Sequence, residues 1–185
     1  MNQHHKSDKD IQLELQQVNA AKEDPRHFNV LYEKYFKSIY VFIYRRTGDE
    51  ELTADITSCV FLKALINIKK YEYKGVPFSG WLFRIAFNEV NMYFRKNKAN
   101  RIVSIEQGGI LQMAQEVEIT NNTEALKLMT NALKKLDGDD IHLIELRFFE
   151  KRSFAEVGEI IGITGNNAKV RIYRIIDKLK RLMKL

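Results

Sequence analysis

Apolar side chains recur every three or four residues along two stretches of this 185-residue chain, and nowhere do they alternate with polar ones at period two. That spacing admits helices and excludes a sheet. In the first stretch, Leu31, Tyr35, Ile39 and Phe42 make one stripe, and Leu52, Ile56, Cys59, Val60 and Leu62 make another. Most of the aromatic residues lie here, between Phe28 and Phe94. Gly48-Asp49 marks a turn, with Asp49 or Thr53 available to cap the helix that follows. Lys74-Gly75-Val76-Pro77 reads as a loop, because a residue before proline avoids the helical region. A long helix is predicted from Ser79 or Gly80 to about Lys96.

Between residues 98 and 122 the period is lost, and Asn100, Gly108, Gly109, Thr120, Asn121 and Asn122 interrupt any helix. A linker is expected there. About 25 residues span roughly 80 Å when extended and about 25–30 Å as a coil.

The helical period returns over 123–185, with Leu126, Met129, Leu133 and Leu136 on one stripe. Asp137-Gly138-Asp139-Asp140 stops that helix and caps a short apolar one, Ile141 to Phe149. Ser153-x-x-Glu156 is a capping box opening a third helix, whose inward face is Phe154, Val157 and Ile161. Gly162 ends it, and Thr164 caps a basic final helix. The fold class predicted is therefore all-α: two small helical domains joined by a flexible linker, the C-terminal one a helix-turn-helix. The divisions are an N-terminal extension over 1–24, a first domain over 25–97, a linker over 98–122 and a second domain over 123–185.

The formal charge is +6, and its distribution is uneven. One basic cluster is Arg84, Arg95, Lys96, Lys98 and Arg101; the other fills the last 22 residues, where Asp177 is the lone acid. Two basic helices suit two contacts with one long anion, although two solvated helix faces would look the same. On the last helix, a wheel at about 100° per residue sets Ala168, Ile172, Ile175, Ile176 and Leu179 on a packed side. Thr164, Asn167, Arg171, Arg174, Lys178 and Arg181 fall on the opposing side. Such a helix fits the DNA major groove. Asn167, Arg171 and Arg174 are placed to meet base edges, while Lys178 and Arg181 are placed to meet phosphates. Lys169 lies off this face, toward the DNA backbone.

A second polar stripe sits on the helix near 80–96: Arg84, Asn88, Asn91 and Arg95 share one face, with Trp81 at its edge. Leu82, Ile85, Ala86, Val90 and Phe94 are its apolar positions. Arg neutralises phosphate, Asn reads base edges, and an aromatic ring stacks on an unpaired base. The preceding loop, with Phe78, is a candidate receptacle for an extruded base. The alternative is that Trp81 and Phe78 are ordinary core residues.

The segment FSGWLFRIAFNEVNMYFRK resembles the second half of the promoter-melting domain of bacterial sigma factors of the extracytoplasmic-function (ECF) type, through Trp81-Leu82, Ile85-Ala86, Asn88 and Arg95. LTADITSCVFLKAL is similar to the family's preceding helix, which docks on the clamp of RNA polymerase; Asp55 and Val60-Phe61-Leu62 fit. RFFEKRSFAEVGEIIGITGNNAKVRIYRIIDKLKRL is similar to its C-terminal promoter domain. The resemblance implies a dissociable specificity subunit of core RNA polymerase. Phe78, Trp81, Arg84, Asn88, Asn91, Arg95 and Lys96 would serve the minus-ten element. Thr164, Asn167, Lys169, Arg171, Arg174, Lys178 and Arg181 would serve the minus-thirty-five element. Asp55, Ser58, Cys59 and Leu62 would meet polymerase. It also implies an anti-sigma partner, commonly membrane-anchored. The chain departs from the family pattern at Ser58 and Cys59, at Leu136-Asp137 and at Gly165-Asn166-Asn167.

Other classes fit less well. No glycine-rich phosphate loop, paired His motif or activated nucleophile is present, so no catalytic residue, metal, cofactor or small-molecule substrate is expected. Cys59 as the lone cysteine excludes an internal disulfide and fits a reducing, cytoplasmic setting. No apolar run approaches the ~20 residues of a membrane span, and MNQHHKSDKD lacks the apolar stretch of a secretory signal. A stand-alone helix-turn-helix regulator is the remaining alternative; it would need the last two helices but neither the Trp81–Arg95 stripe nor a docking helix.

Overall fold

The structure, a computed structural model, describes residues 8–97, 113 and 123–183, and among these there are helices and turns but no strand. The linker expected over 98–122 lies outside the described residues apart from Met113. The described chain divides into two compact units, one holding the helices up to Asn97 and the other the bulk of those from Thr123 on.

The first unit contains α1 (Asp8–Glu23), α2 (Phe28–Thr47), α3 (Glu50–Asn67) and α4 (Phe78–Asn97). A single turn, Pro25–His27, opens α2; Asp24 caps that turn by accepting from the Arg26 N–H. Gly48, in the left-handed region, closes α2, and the Asp49 carboxylate caps α3 by accepting from the Leu52 N–H at 2.9 Å. Asp49 rather than Thr53 is thus the cap. Thr53 instead turns inward, and its hydroxyl lies 2.7 Å from that of Thr47.

The first stripe read from sequence, Leu31, Tyr35, Ile39 and Phe42, is core; of the second, Ile56 and Val60 are buried, while Leu52 and Cys59 are half-buried. Leu31, Ile39, Phe42, Val60, Ala64, Leu82 and Ala86 are each fully buried. Phe42 meets Phe83 edge-on at 5.0 Å between ring centres. Burying each large apolar side chain contributes about 1.5–3 kcal/mol. Ile85 and Phe94 are only half-buried; Phe83 takes the inward place. Leu62 also departs from its stripe and is 58% exposed. Arg46 is buried, donating from Nη1 to the Phe42 carbonyl at 2.7 Å and lying 3.6 Å above the Phe42 ring. Asp8–Glu23, within the extension to which the sequence assigned no role, form a helix that belongs to this core. Val18 and Ala21 are buried, and α1 packs on α2 and α4.

The second unit contains α5 (Thr123–Leu133), α6 (Gly138–Ile144), α7 (Phe154–Ile161) and α8 (Gly165–Met183). A π-helical turn, Glu145–Phe149, continues α6, so the expected helix Ile141–Phe149 is present but changes its winding midway. Asp137 caps α6 by accepting from the Asp140 N–H. The capping box at α7 is formed in both directions: Ser153 Oγ accepts from the Glu156 N–H, and the Glu156 carboxylate accepts from the Ser153 N–H. Glu156 also pairs with Arg152 at 3.2 Å, both side chains being buried. Gly162 ends α7 at φ 79°, a conformation that favours glycine. The turn into α8 is tight enough that a Cβ at Gly158 would lie 2.7 Å from the Ile163 carbonyl oxygen. Thr164 Oγ1 then accepts from the Asn167 N–H at 3.2 Å and opens α8.

Candidate nucleic-acid and polymerase interfaces

α4 starts at Phe78, directly after Pro77, and its polar stripe lies on the solvent side. Arg84, Asn88 and Arg95 are exposed, and Asn91 is half-buried beside them. Trp81 sits half-buried at the edge of this face, its ring 5.4 Å from those of both Tyr71 and Phe78. Both rings meet the indole at a tilt, 55° and 44°, and hold it against the buried side of the loop.

Two residues expected on this face stand elsewhere. Phe78 is 1% exposed, its ring 6.0 Å from Tyr35 and 5.2 Å from Tyr71, so no face is left to take a base. As the first residue of α4 it turns into the core and supports Trp81 from beneath. Lys96 lies about 100° round the helix from Arg95. It borders a groove of about 440 Å³ between α3 and α4, together with Leu52, Asp55, Cys59, Glu89 and Met92. Lys96 therefore shares a surface with the candidate docking residues.

The loop before α4 is built tightly. Gly75 takes φ 81°, the Tyr71 hydroxyl donates to the Val76 carbonyl at 3.4 Å, and a Cβ at Gly80 would fall 2.6 Å from Val76 Cγ1. Both ends of the loop are held by α1. Lys22 Nζ donates to the Tyr71 carbonyl at 2.7 Å, and Glu14 Oε2 accepts from the Phe78 N–H at 3.1 Å. Glu14 is buried, and its other oxygen accepts from the Tyr35 hydroxyl. Burial, and after it the Glu14 charge, push the Tyr71 phenol well above its ordinary pKa.

On α3, Asp55, Ser58 and Leu62 are exposed on one side. Ile66 continues that side one turn on and is 68% exposed; its i+4 spacing from Leu62 was the signal available in the sequence. Cys59 is half-buried and turns toward α4, where Sγ lies 3.4 Å from Glu89 Oε2. Lys63 Nζ meets the same oxygen at 2.6 Å. Burial first, then the Glu89 hydrogen bond and charge, raise the Cys59 thiol; the hydrogen bond to Glu89 raises Lys63. Cys59 is thus a protonated thiol at neutral pH, directed at Glu89 rather than at an outside partner.

On α8, Thr164, Asn167, Lys169, Arg171, Arg174 and Arg181 are all exposed, while Lys178 is half-buried. A wheel anchored on the residues found buried, Ala168, Ile172, Ile175, Ile176, Leu179 and Met183, moves the outward direction. On a wheel of about 100° per residue, Val170 and Arg181 lie furthest from the core, Arg174 and Asp177 lie to either side of them, and Tyr173 stands on the flank where its ring is 6.1 Å from that of Phe154. Asn167 stays near the outward side, while Arg171 and Lys178 turn toward the flank nearer α6. That flank is acidic on its far side: Arg171, Arg174, Lys178 and Arg181 border a cleft with Asp137, Asp139 and Asp140. Lys178 Nζ sits 2.7 Å from Asp140 and 3.1 Å from Asp137. The Asp140 N–H and then Lys178 hold the Asp137 carboxyl below its usual range. Val170 and Tyr173, 41% and 45% exposed, were missed because the sequence wheel was centred on charge. Exposed apolar residues on a basic helix were the sign to follow, since such side chains contact thymine methyl groups.

The same order of parts appears in known proteins. Residues 31–100 match the family model for Sigma-70 region 2, and residues 132–181 match that for Sigma-70, region 4. The ECF RNA polymerase sigma factor BldN of Streptomyces coelicolor is 31% identical, over 96% of this chain and 67% of its own. This chain is an ECF RNA polymerase sigma factor. The sigma factors SigM and SigW of Bacillus subtilis are each 26% identical, over 82% and 94% of this chain and 92% and 97% of theirs. Among solved structures, CnrH in complex with the cytosolic domain of CnrY shares the fold with a TM-score of 0.59 at 20% identity, covering 92% of this chain and 97% of that one. RpoE in complex with the anti-sigma factor NepR, from Bartonella quintana, does so with a TM-score of 0.54 at 19% identity, covering 85% and 97%. The region 2 match begins at Leu31, so α1 lies outside it. Among the described residues no helix of this sigma factor is long and apolar enough to cross a membrane.

Proposed function

We propose that this sigma factor binds core RNA polymerase through the outward side of α3, holds the opened minus-ten strand with α4, and reads the minus-thirty-five element with α8. The observation that carries the reading is the α4 face: exposed Arg84, Asn88 and Arg95 beside a half-buried Trp81 braced by Tyr71 and Phe78. A regulator acting on duplex DNA alone has no use for it. Opening DNA breaks stacking of about 1.4 kcal/mol per step. No nucleotide hydrolysis by this chain is invoked, so captured bases and polymerase contacts must offset that cost. Stacking on an aromatic ring returns about 1–3 kcal/mol per base, which makes Trp81 the central residue of the opening step.

On α3, Asp55, Ser58, Leu62 and Ile66 offer polymerase a mixed polar and apolar strip. Lys96, on the α3–α4 groove, belongs to that contact rather than to DNA. On α8, Arg174 and Asn167 suit guanine and adenine edges, Val170 and Tyr173 suit thymine methyl groups, and Lys169 and Arg181 suit phosphates. The work is cytoplasmic, where polymerase and chromosome are, and the chain itself catalyses nothing. An anti-sigma protein is the regulator we expect, since a structurally similar protein was solved with one.

Co-purification tests the reading. The chain is mixed with bacterial core RNA polymerase, and the complex is assayed on promoter DNA bearing an unpaired minus-ten segment. A stoichiometric complex that binds the unpaired template more tightly than the duplex is expected. Tight duplex binding by the free chain, with no association with core enzyme, would favour the stand-alone regulator instead.

A further inference from the structure

The geometry points to α1 as part of the promoter-opening apparatus: Lys22 and Glu14 fix the two ends of the Tyr71–Phe78 loop and thereby position Trp81. Both residues lie on one face of α1, eight positions apart. Lys22 Nζ reaches the carbonyl at the start of the loop, 2.7 Å from Tyr71 O, and lies 5.9 Å from the centre of the Tyr71 ring. Glu14 accepts from the backbone N–H at its end, 3.1 Å from Phe78 N. That second contact places a carboxylate at the N-terminus of α4, where the helix dipole favours negative charge. The rings on the two anchored residues, Tyr71 and Phe78, are the same two that brace Trp81. A shift of α1 therefore reaches the indole through one layer of side chains. Between the anchors the loop exposes Glu72, Tyr73 and Lys74, with Glu72 and Lys74 paired at 3.5 Å. Lys22 and Glu14 are positioning residues: neither need touch DNA.

The inference rests on reading α4 as the strand-capturing helix, and the test separates the two. Holoenzyme is reconstituted with Lys22→Met, Lys22→Arg, Glu14→Gln and Trp81→Ala chains. Three quantities are read: affinity for core enzyme, affinity for a duplex minus-thirty-five element, and the rate of promoter opening. Trp81 is the chain's single tryptophan, so its emission and its quenching by acrylamide report the platform directly. Lys22→Met keeps the side chain's length but loses the donor and its charge. It is expected to open promoters roughly tenfold more slowly, the order of one lost charge-assisted hydrogen bond, and to quench more readily, with both affinities unchanged. Lys22→Arg is expected to restore both opening and quenching. Glu14→Gln keeps one acceptor for the Tyr35 and Phe78 donors, loses the charge that faces Lys34 at 3.6 Å, and should fall in the same direction; if it fails to fold, Lys22→Met still decides. Slow opening in Trp81→Ala beside wild-type opening in Lys22→Met overturns the inference and leaves the strand-capture reading standing. Equal losses in core affinity and opening for Lys22→Met also overturn it, since those mark a folding defect. Wild-type opening in Trp81→Ala overturns both.

Discussion

α4 and α8 both present basic, polar faces, yet the two faces are held in place in opposite ways. α8 is set by its neighbours in sequence: the Ser153–Glu156 capping box, the left-handed Gly162 and the Thr164 cap all lie within about a dozen residues of its start. α4 is set from a distance: its first N–H bonds to Glu14, 64 residues away, and its indole rests on Tyr71. The comparison teaches that a duplex-reading helix can be a self-contained local motif. A platform for an extruded base needs rigidity from several directions, because the energy of capture is only a few stacking contacts.

The sharpest way to break this contrast is Trp81→Ala. Loss of about 1–3 kcal/mol of stacking slows promoter opening by one to two orders of magnitude while leaving duplex binding by α8 intact. Permanganate footprinting of unpaired thymines measures it, and a normal footprint removes the platform from the account. Next in size is Arg174→Ala, which costs about 1–3 kcal/mol at the cognate upstream element. Titration against cognate and scrambled duplexes decides: equal losses on both turn Arg174 into a phosphate contact. Ser153→Ala follows. It removes one half of the capping box and lowers the stability of the second domain by about 1 kcal/mol, read as a lower denaturation midpoint. An unchanged midpoint denies α8 its local scaffold.

The difference between the two faces also explains what the sequence made legible. Caps, turns and stripes are properties of adjacent residues, so Asp49, Ser153, Gly162 and the Leu31–Phe42 stripe could be read directly. Phe78 could not: the letter Phe after Pro77 fits a pocket wall or a core ring equally, and only the packing against Tyr35 and Tyr71 decides. α1 was silent because Glu14 and Lys22 look like solvated charges until their backbone partners, Phe78 and Tyr71, are brought near. The α8 face was half legible. Its charges are exposed, but the wheel ignored Val170 and Tyr173, and nothing in sequence pairs Lys178 with Asp137 and Asp140.

That pairing sharpens the contrast further at smaller scale. The aspartates compete with phosphate for Lys178, so Asp137→Asn and Asp140→Asn together free the lysine and tighten binding to any duplex several-fold at low salt. The slope of log affinity against log salt steepens by about one. Unchanged slope means Lys178 never meets DNA. The smallest effect concerns Cys59. Its thiol is raised by burial and by Glu89, so alkylation at neutral pH is slow and rises with pH. Glu89→Gln removes the charge that disfavours the thiolate, and the alkylation profile moves to lower pH; an unmoved profile dissociates Cys59 from Glu89.

The central claim is that two differently supported faces act on one promoter through polymerase. Transcription by reconstituted holoenzyme over genomic DNA, with every start site mapped, tests it most directly. Starts are predicted to concentrate downstream of one recurring pair of elements. Reversing charge at Arg84 and Arg95 is predicted to abolish opening there, and reversing it at Arg171 and Arg174 to abolish the choice of upstream element. Start sites no more concentrated than with core enzyme alone, or unaltered by both reversals, would contradict the account.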